Sequence, residues 1–158
     1  MKRVFILCLS LFIAGHLFAF DNLNLGIGAE INSNTREGIA AGGVLFFCAE
    51  INQQFSAGGK FTFSHNFDTV ITLEPQALFR YYLPLGIEGL FVQAELGAAI
   101  FLENDNSYPA FSGGLSGGWR FEIGTNFYFE PYLRFGYPYI WGVGFISGMK
   151  ILIGSGIN

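Results

Sequence analysis

Apolar and polar residues alternate along most of the chain, and a period of two is the mark a strand with two unlike faces leaves in a sequence. The first such stretch sets Leu23, Leu25, Ile27, Ala29 and Ile31 against Asn22, Asn24, Gly26, Gly28 and Glu30. The third sets Phe55, Ala57, Gly59, Phe61 and Phe63 against Ser56, Gly58, Lys60, Thr62 and Ser64. The fourth sets Ile71, Leu73, Pro75, Ala77, Phe79, Tyr81 and Leu83 against Thr72, Glu74, Gln76, Leu78, Arg80 and Tyr82. The fifth sets Leu90, Val92, Ala94, Leu96, Ala98, Ile100 and Leu102 against Phe91, Gln93, Glu95, Gly97, Ala99 and Phe101. The sixth sets Phe111, Leu115, Trp119 and Phe121 against Ser112, Ser116, Arg120 and Glu122. The seventh sets Phe127, Phe129, Pro131, Leu133, Phe135 and Tyr137 against Tyr128, Glu130, Tyr132 and Arg134. The eighth, Trp141 to Ile153, sets Val143, Phe145, Met149 and Ile151 against Gly144, Ile146, Gly148 and Lys150. The second, Gly38 to Ala49, is almost wholly apolar or small, and its facing stays open.

The links at Asn32–Glu37, Glu50–Gln53, His65–Thr69, Pro84–Gly89, Glu103–Pro109, Ile123–Asn126 and Pro138–Ile140 carry turn residues. Eight strands on seven short links predict one all-β domain, an antiparallel up-and-down meander. Pro75 and Pro131 fall inside strands, where each removes a ladder hydrogen bond, so local distortion is expected at both.

Residues 1–19 read differently. Lys2 and Arg3 precede an apolar run from Val4 to Ile13, and Ala19 offers a small residue for cleavage. That order is a secretory signal peptide, leaving residues 20–158 as the barrel domain. A retained anchor is the alternative, but Val4 to Phe20 is shorter than the roughly 20 residues of a spanning helix. Cleavage removes two bases, leaving six against twelve acids. An acidic chain argues against nucleic acid as a partner. Cys48 is then the one cysteine left, so no intrachain disulfide holds the domain.

The charges decide which face meets what. Eight of the eighteen lie at the start of the domain or in links. The other ten share the polar parity of their strands: Glu30, Lys60, Glu74, Arg80, Glu95, Arg120, Glu122, Glu130, Arg134 and Lys150. Five acids and five bases on one face suit a narrow interior where charges pair. A soluble barrel would instead need a densely charged outer face. The apolar face then meets lipid, where charge is costly. Aromatics agree. Phe55, Tyr81, Trp119, Phe121, Phe127 and Phe129 gather near one rim, and Phe63, Phe111, Tyr137, Tyr139 and Trp141 near the other. Two aromatic girdles around an aliphatic band predict a transmembrane β-barrel.

In its signal, even strand number and dyad pattern, the chain resembles the small eight-stranded outer-membrane barrels of the OmpA/OmpX type. The resemblance covers the whole domain and is one of pattern. It implies an integral outer-membrane protein, in contact with outer-membrane lipid and with the barrel-insertion machinery during assembly, and a monomer. Two departures stand out. The chain ends Ser155-Gly156-Ile157-Asn158, where the family often ends on an aromatic, and its links are short where the family can carry long adhesive loops.

Little in the sequence points to catalysis. The domain holds one histidine, His65, so a multi-histidine zinc site is impossible. The resemblance implies that lipid-modifying barrels of this size use a histidine with a serine or an acid at the outer rim, and Ser64, His65 and Asp68 cluster at such a rim. Consecutive strand residues point to opposite faces, however, which separates Ser64 from His65. No enzyme, cofactor or metal is expected. The expected role is structural or surface-interacting, with the interior filled by paired charges. A narrow channel for small or apolar solutes, and a lipid-modifying enzyme, are the alternatives.

Overall fold

A sheet is left without an unpaired edge only by closing on itself, and the chain does so. The computed structural model describes residues 22–34, 38–66, 69–86, 88–103 and 106–152. The signal-peptide assignment, the chain end and Arg36, Glu37, Asp68 and Asp105 lie outside the described residues. The strands are β1 (Asn22–Asn34), β2 (Gly38–Glu50), β3 (Phe55–Asn66), β4 (Val70–Tyr82), β5 (Leu90–Glu103), β6 (Asn106–Trp119), β7 (Phe121–Ile123), β8 (Phe127–Tyr137) and β9 (Tyr139–Leu152). Each pairs antiparallel with its chain neighbours, β1 pairs with β9, and β6 and β7 both pair with β8. β6 and β7 are two segments of one barrel strand, so the closed sheet has eight.

The pairing also fixes the size of the barrel. Followed once around, it runs from Asn22 through Glu50, Ser56, Arg80, Gln93, Ser116, Arg134 and Gly142 and returns to β1 at Asn32. That is a stagger of ten residues. With ordinary strand rise and spacing it sets a tilt of about 40° and a backbone radius of about 8 Å. Such an interior has room for side chains and little else.

The prolines distort the ladder without shifting it. Pro75 keeps its partner Phe61 on β3, but pairing with β5 lapses at Glu74 and Pro75 and resumes in the same register at Gln76. Pro131 keeps Phe145 on β9. Facing it, β6 stops at Trp119, and β7 resumes the register at Phe121. Proline has no N–H to give. The Arg120 N–H turns the other way and donates to the Gly89 carbonyl at 2.8 Å.

Several links are shorter than the turn residues suggest. β1 runs to Asn34, β3 to Asn66 and β5 to Glu103, while β6 already begins at Asn106. Cross-strand pairing extends through polar residues that also favour turns, such as Asn106 paired with Glu103. The facing of β2 is settled: Val44, Phe46 and Cys48 point inward, Leu45 and Phe47 outward.

The outer wall is apolar. Ile27, Leu45, Leu96, Leu115, Leu133 and Phe135 are all more than half exposed. Among the described residues, no charged side chain stands on this wall between the rims. Phe55 packs on Phe79 and Tyr81, and Trp119 stacks on Phe121 at 5.5 Å, all near the end that holds Asn22 and Leu152, here the terminal mouth. Phe127 and Phe129 lie near the same end; Phe63, Phe111, Tyr137 and Trp141 stand outward near the opposite, far mouth.

Tyr139 does not belong to that far girdle. It is fully buried inside the barrel. The register with β1 shifts there: Trp141 faces Ser33, but Tyr139 faces Asn34. Ile140 is the extra residue of a bulge, and one extra residue turns the side chain before it to the other face.

Candidate functional site: the charged interior

The inward face of a barrel this narrow forces charges carried on different strands into contact. Glu30, Lys60, Glu74, Arg80, Glu95, Arg120, Glu130 and Arg134 are each 6% exposed or less. They form two groups along the axis.

The far group centres on Arg134 of β8. Its Nη1 and Nη2 donate to the two carboxylate oxygens of Glu74 on β4, at 2.8 and 2.5 Å. This fork-to-carboxylate geometry suits a planar guanidinium. The Arg134 Nε lies 2.9 Å from Glu95, a charge contact too far off line to be a hydrogen bond. Nη1 also reaches Glu30 at 3.4 Å. Lys60 donates to Glu95 at 2.8 Å and stands 3.8 Å from Glu30.

The group nearer the terminal mouth centres on Glu130. One of its oxygens accepts from Arg80 at 2.8 Å and from Arg120 at 2.5 Å. Arg120 reaches outward to Glu50 at 3.4 Å, and Glu50 to Lys150 at 3.3 Å. Gln93 joins the two groups, accepting from Arg80 at 2.9 Å and donating to Glu95 at 2.7 Å.

Neutral side chains complete the coordination. Ser116 donates to Glu95 at 2.8 Å, Tyr132 to Glu30 at 2.7 Å and Asn32 to Glu30 at 3.1 Å. Ser112 donates to Glu74 and accepts from Gln76. Rings fill the remaining space beside the cations. Arg80 lies 3.9 Å from the Phe91 ring centre, Arg120 4.4 Å from Tyr128, Arg134 4.7 Å from Tyr139 and Lys60 5.4 Å from Tyr132. Glycines on β1 and β9 make room for two of these rings. A Cβ at Gly148 would meet the Tyr128 ring within 2.4 Å, and one at Gly144 would meet the Tyr132 hydroxyl within 2.8 Å.

Of the ten charges singled out by parity, eight are buried together, Lys150 joins them at the terminal mouth through Glu50, and Glu122 stands apart. Glu122 is exposed at the terminal mouth. Lys150 pairs there with Glu50, a residue that looked like part of a turn. Glu50 falls in a link by its sequence, and Gln93, Tyr132, Ser112 and Ser116 carry no charge; these are the site residues that a sequence search for strand charges misses, and extending the parity rule to neutral polar residues picks out the last four.

Ser64 and His65 are not brought together, and Asp68 lies outside the described residues. Ser64 is buried inside, while His65 stands exposed on the outer wall. Among the described residues no group of three His, Cys, Asp or Glu side chains is placed to hold a metal ion. Cys48 is buried and unpaired with another cysteine.

Solved structures place this architecture. The N-terminal β-barrel domain of Pseudomonas aeruginosa OprF superposes with a TM-score of 0.56 at 13% identity, covering 84% of this chain and 98% of that one. Neisserial surface protein A gives 0.58 at 11% identity, covering 84% and 96%. The outer membrane protein OprG of Pseudomonas aeruginosa gives 0.55 at 11% identity, covering 85% and 97%. The fold is that of the small eight-stranded outer-membrane barrels. No family model matches the chain, and no curated protein matches its sequence. At these identities the likeness carries the fold, and the interior must be argued from its own residues.

Proposed function

We propose that the protein is a monomeric integral outer-membrane barrel with a structural or surface-interaction role, and that its paired charges plug the interior. One observation carries this reading: the outer wall is apolar and free of charged side chains among the described residues, while eight buried charged side chains contact one another inside. A water-soluble barrel would be arranged the other way, with its charges outside. Lipid covers the wall in this reading, and the insertion machinery delivers the chain to it. Export by a cleaved leader, residues 1–19, belongs to the same reading.

Electrophoresis of the protein folded in detergent, with and without boiling, tests it. A closed barrel retains its shape in the unboiled sample and migrates differently from the boiled chain. Partition into the detergent-rich phase of a phase-separating detergent is expected too. Identical mobility together with partition into the aqueous phase would refute the membrane assignment. Ser64 and His65 on opposite faces support the non-enzymatic part of the proposal.

A further inference from the structure

The outer wall carries a groove of about 530 Å³ across β2, β3 and β4. Bulky apolar residues hold most outward positions, and the wall sinks where two small ones face each other, Gly59 on β3 and Ala77 on β4. Phe47 of β2 faces Gly59 from the other side and closes that flank; a Cβ at Gly59 would meet its ring at 2.6 Å. The next row toward the far mouth is Leu45, Phe61 and Pro75. Leu45 and Phe47 are more than half exposed and stand up as a ridge, while Gly59 in the floor is buried. Lys60 and Gln76 also border the groove, but their side chains turn inward to Glu95 and Ser112. The groove is therefore apolar in its side chains.

Toward the terminal mouth the groove meets a cluster of rings. Phe55 lies 5.5 Å from Phe79 and 5.0 Å from Tyr81. Aromatic rings on a lipid-facing wall collect at headgroup level. From Tyr81 to Pro75, β4 runs about 20 Å along its own axis, and a tilt of about 40° turns this into a rise of about 15 Å. That rise is half the roughly 30 Å of a bilayer's hydrocarbon core, the depth of one leaflet.

We propose that this groove holds one straight acyl chain of a lipid whose headgroup sits at the ring cluster, in the leaflet at the terminal mouth. The proposal rests on the reading that lipid surrounds the wall, and it names the place on that wall where a single chain stays rather than passes. The groove is continuous with the apolar wall on every side, so the surrounding lipid reaches it without crossing a polar barrier. A narrow chain touches both flanks and the floor at once, and each such contact adds dispersion attraction that an open stretch of wall does not offer. A second barrel fits less well. Its wall is studded with bulky side chains of its own and would rest on the ridge of Leu45 and Phe47 without reaching Gly59 and Ala77.

The test uses the folded full chain in nanodiscs of dimyristoylphosphatidylcholine, deuterated except for carbon-13-labelled alanine methyl groups. Ala94 is the internal reference: it is exposed on the wall one strand away, between Phe79 and Leu115 and outside the groove. Nuclear Overhauser transfer from the lipid chain methylenes is expected to be several-fold stronger at Ala77 than at Ala94. Phe47→Ala opens one flank and should bring Ala77 down to the level of Ala94. Equal transfer at the two alanines in the unmodified protein overturns the proposal, whether or not Phe47→Ala folds. So does a folded Phe47→Ala that leaves the ratio unchanged. A second sample, with labelled and fully protonated barrels mixed in wide nanodiscs of deuterated lipid, looks for another copy. Transfer to Ala77 there would put a second barrel in the groove and overturn the lipid assignment; none is expected. Failure to enter nanodiscs at all would sink the membrane reading itself, whereas entry with equal transfer sinks the groove alone.

Discussion

Arg134 touches three of the four buried carboxylates, so it is the residue whose loss the interior tolerates least. Without it, Glu30, Glu74 and Glu95 would share Lys60 alone. Arg134→Ala should cost roughly 3–5 kcal/mol, the usual penalty for leaving a buried charge uncompensated. Denaturant unfolding of the detergent-folded protein measures it. Adding Glu74→Gln should recover part of the loss, because it removes one stranded acid, and additive losses would show that the pair is uncoupled. At this scale much was legible beforehand. Parity alone collected eight buried charges on one face, because a strand allows its side chains no third direction. Tyr139 was not legible. Its facing depends on one extra residue at Ile140, and a bulge leaves no mark in an apolar–polar pattern.

The strands put a stronger demand on their outer positions than on their ends. Leu96 lies midway along β5, facing outward between Ala77 and Gly113 on the neighbouring strands. Phe121 lies at the terminal mouth and is similarly exposed, 48% against 59%. If lipid surrounds the wall, Leu96→Arg should lose about 2–4 kcal/mol of folding free energy and Phe121→Arg about 0–1 kcal/mol, because charge costs most at mid-depth. Unfolding in lipid vesicles compares the two. Equal tolerance would contradict a bilayer around the barrel, since exposure alone makes the two sites nearly alike. Element existence was readable because alternation persisted through Pro75 and Pro131. Element length was less so. Asn32, Asn66 and Asn106 favour turns, yet each extends a strand by pairing with a neighbour. The interruption at Arg120 also had a readable cause, but on another strand: Pro131 faces Trp119, the residue just before it.

Closure is a property of the whole molecule, and no single strand encodes it. The even number of strands and the balanced charges on one face suggested it. The ten-residue stagger that sets the radius came from the pairing, because every register in it depends on partners far apart in sequence. That radius and the filled interior lead to one expectation about transport. At the far mouth Val70, Ala99 and Phe101 form a buried apolar cluster, and below it the ion pairs cross from wall to wall. If the paired side chains plug the interior as proposed, the purified protein should show no steady conductance in a planar bilayer. Arg134 and Glu74 are among the largest fully buried side chains. Replacing both, Arg134→Ser with Glu74→Ser, deletes one base and one acid, leaves the net charge unchanged and empties the space between β4 and β8. Small, reproducible current steps are expected from that variant if side chains are what fill the passage. A steady open level in the unmodified protein, left unchanged by the double replacement, would mean that ions cross by a route these residues do not obstruct, and the plugged interior would have to be abandoned in favour of a narrow channel.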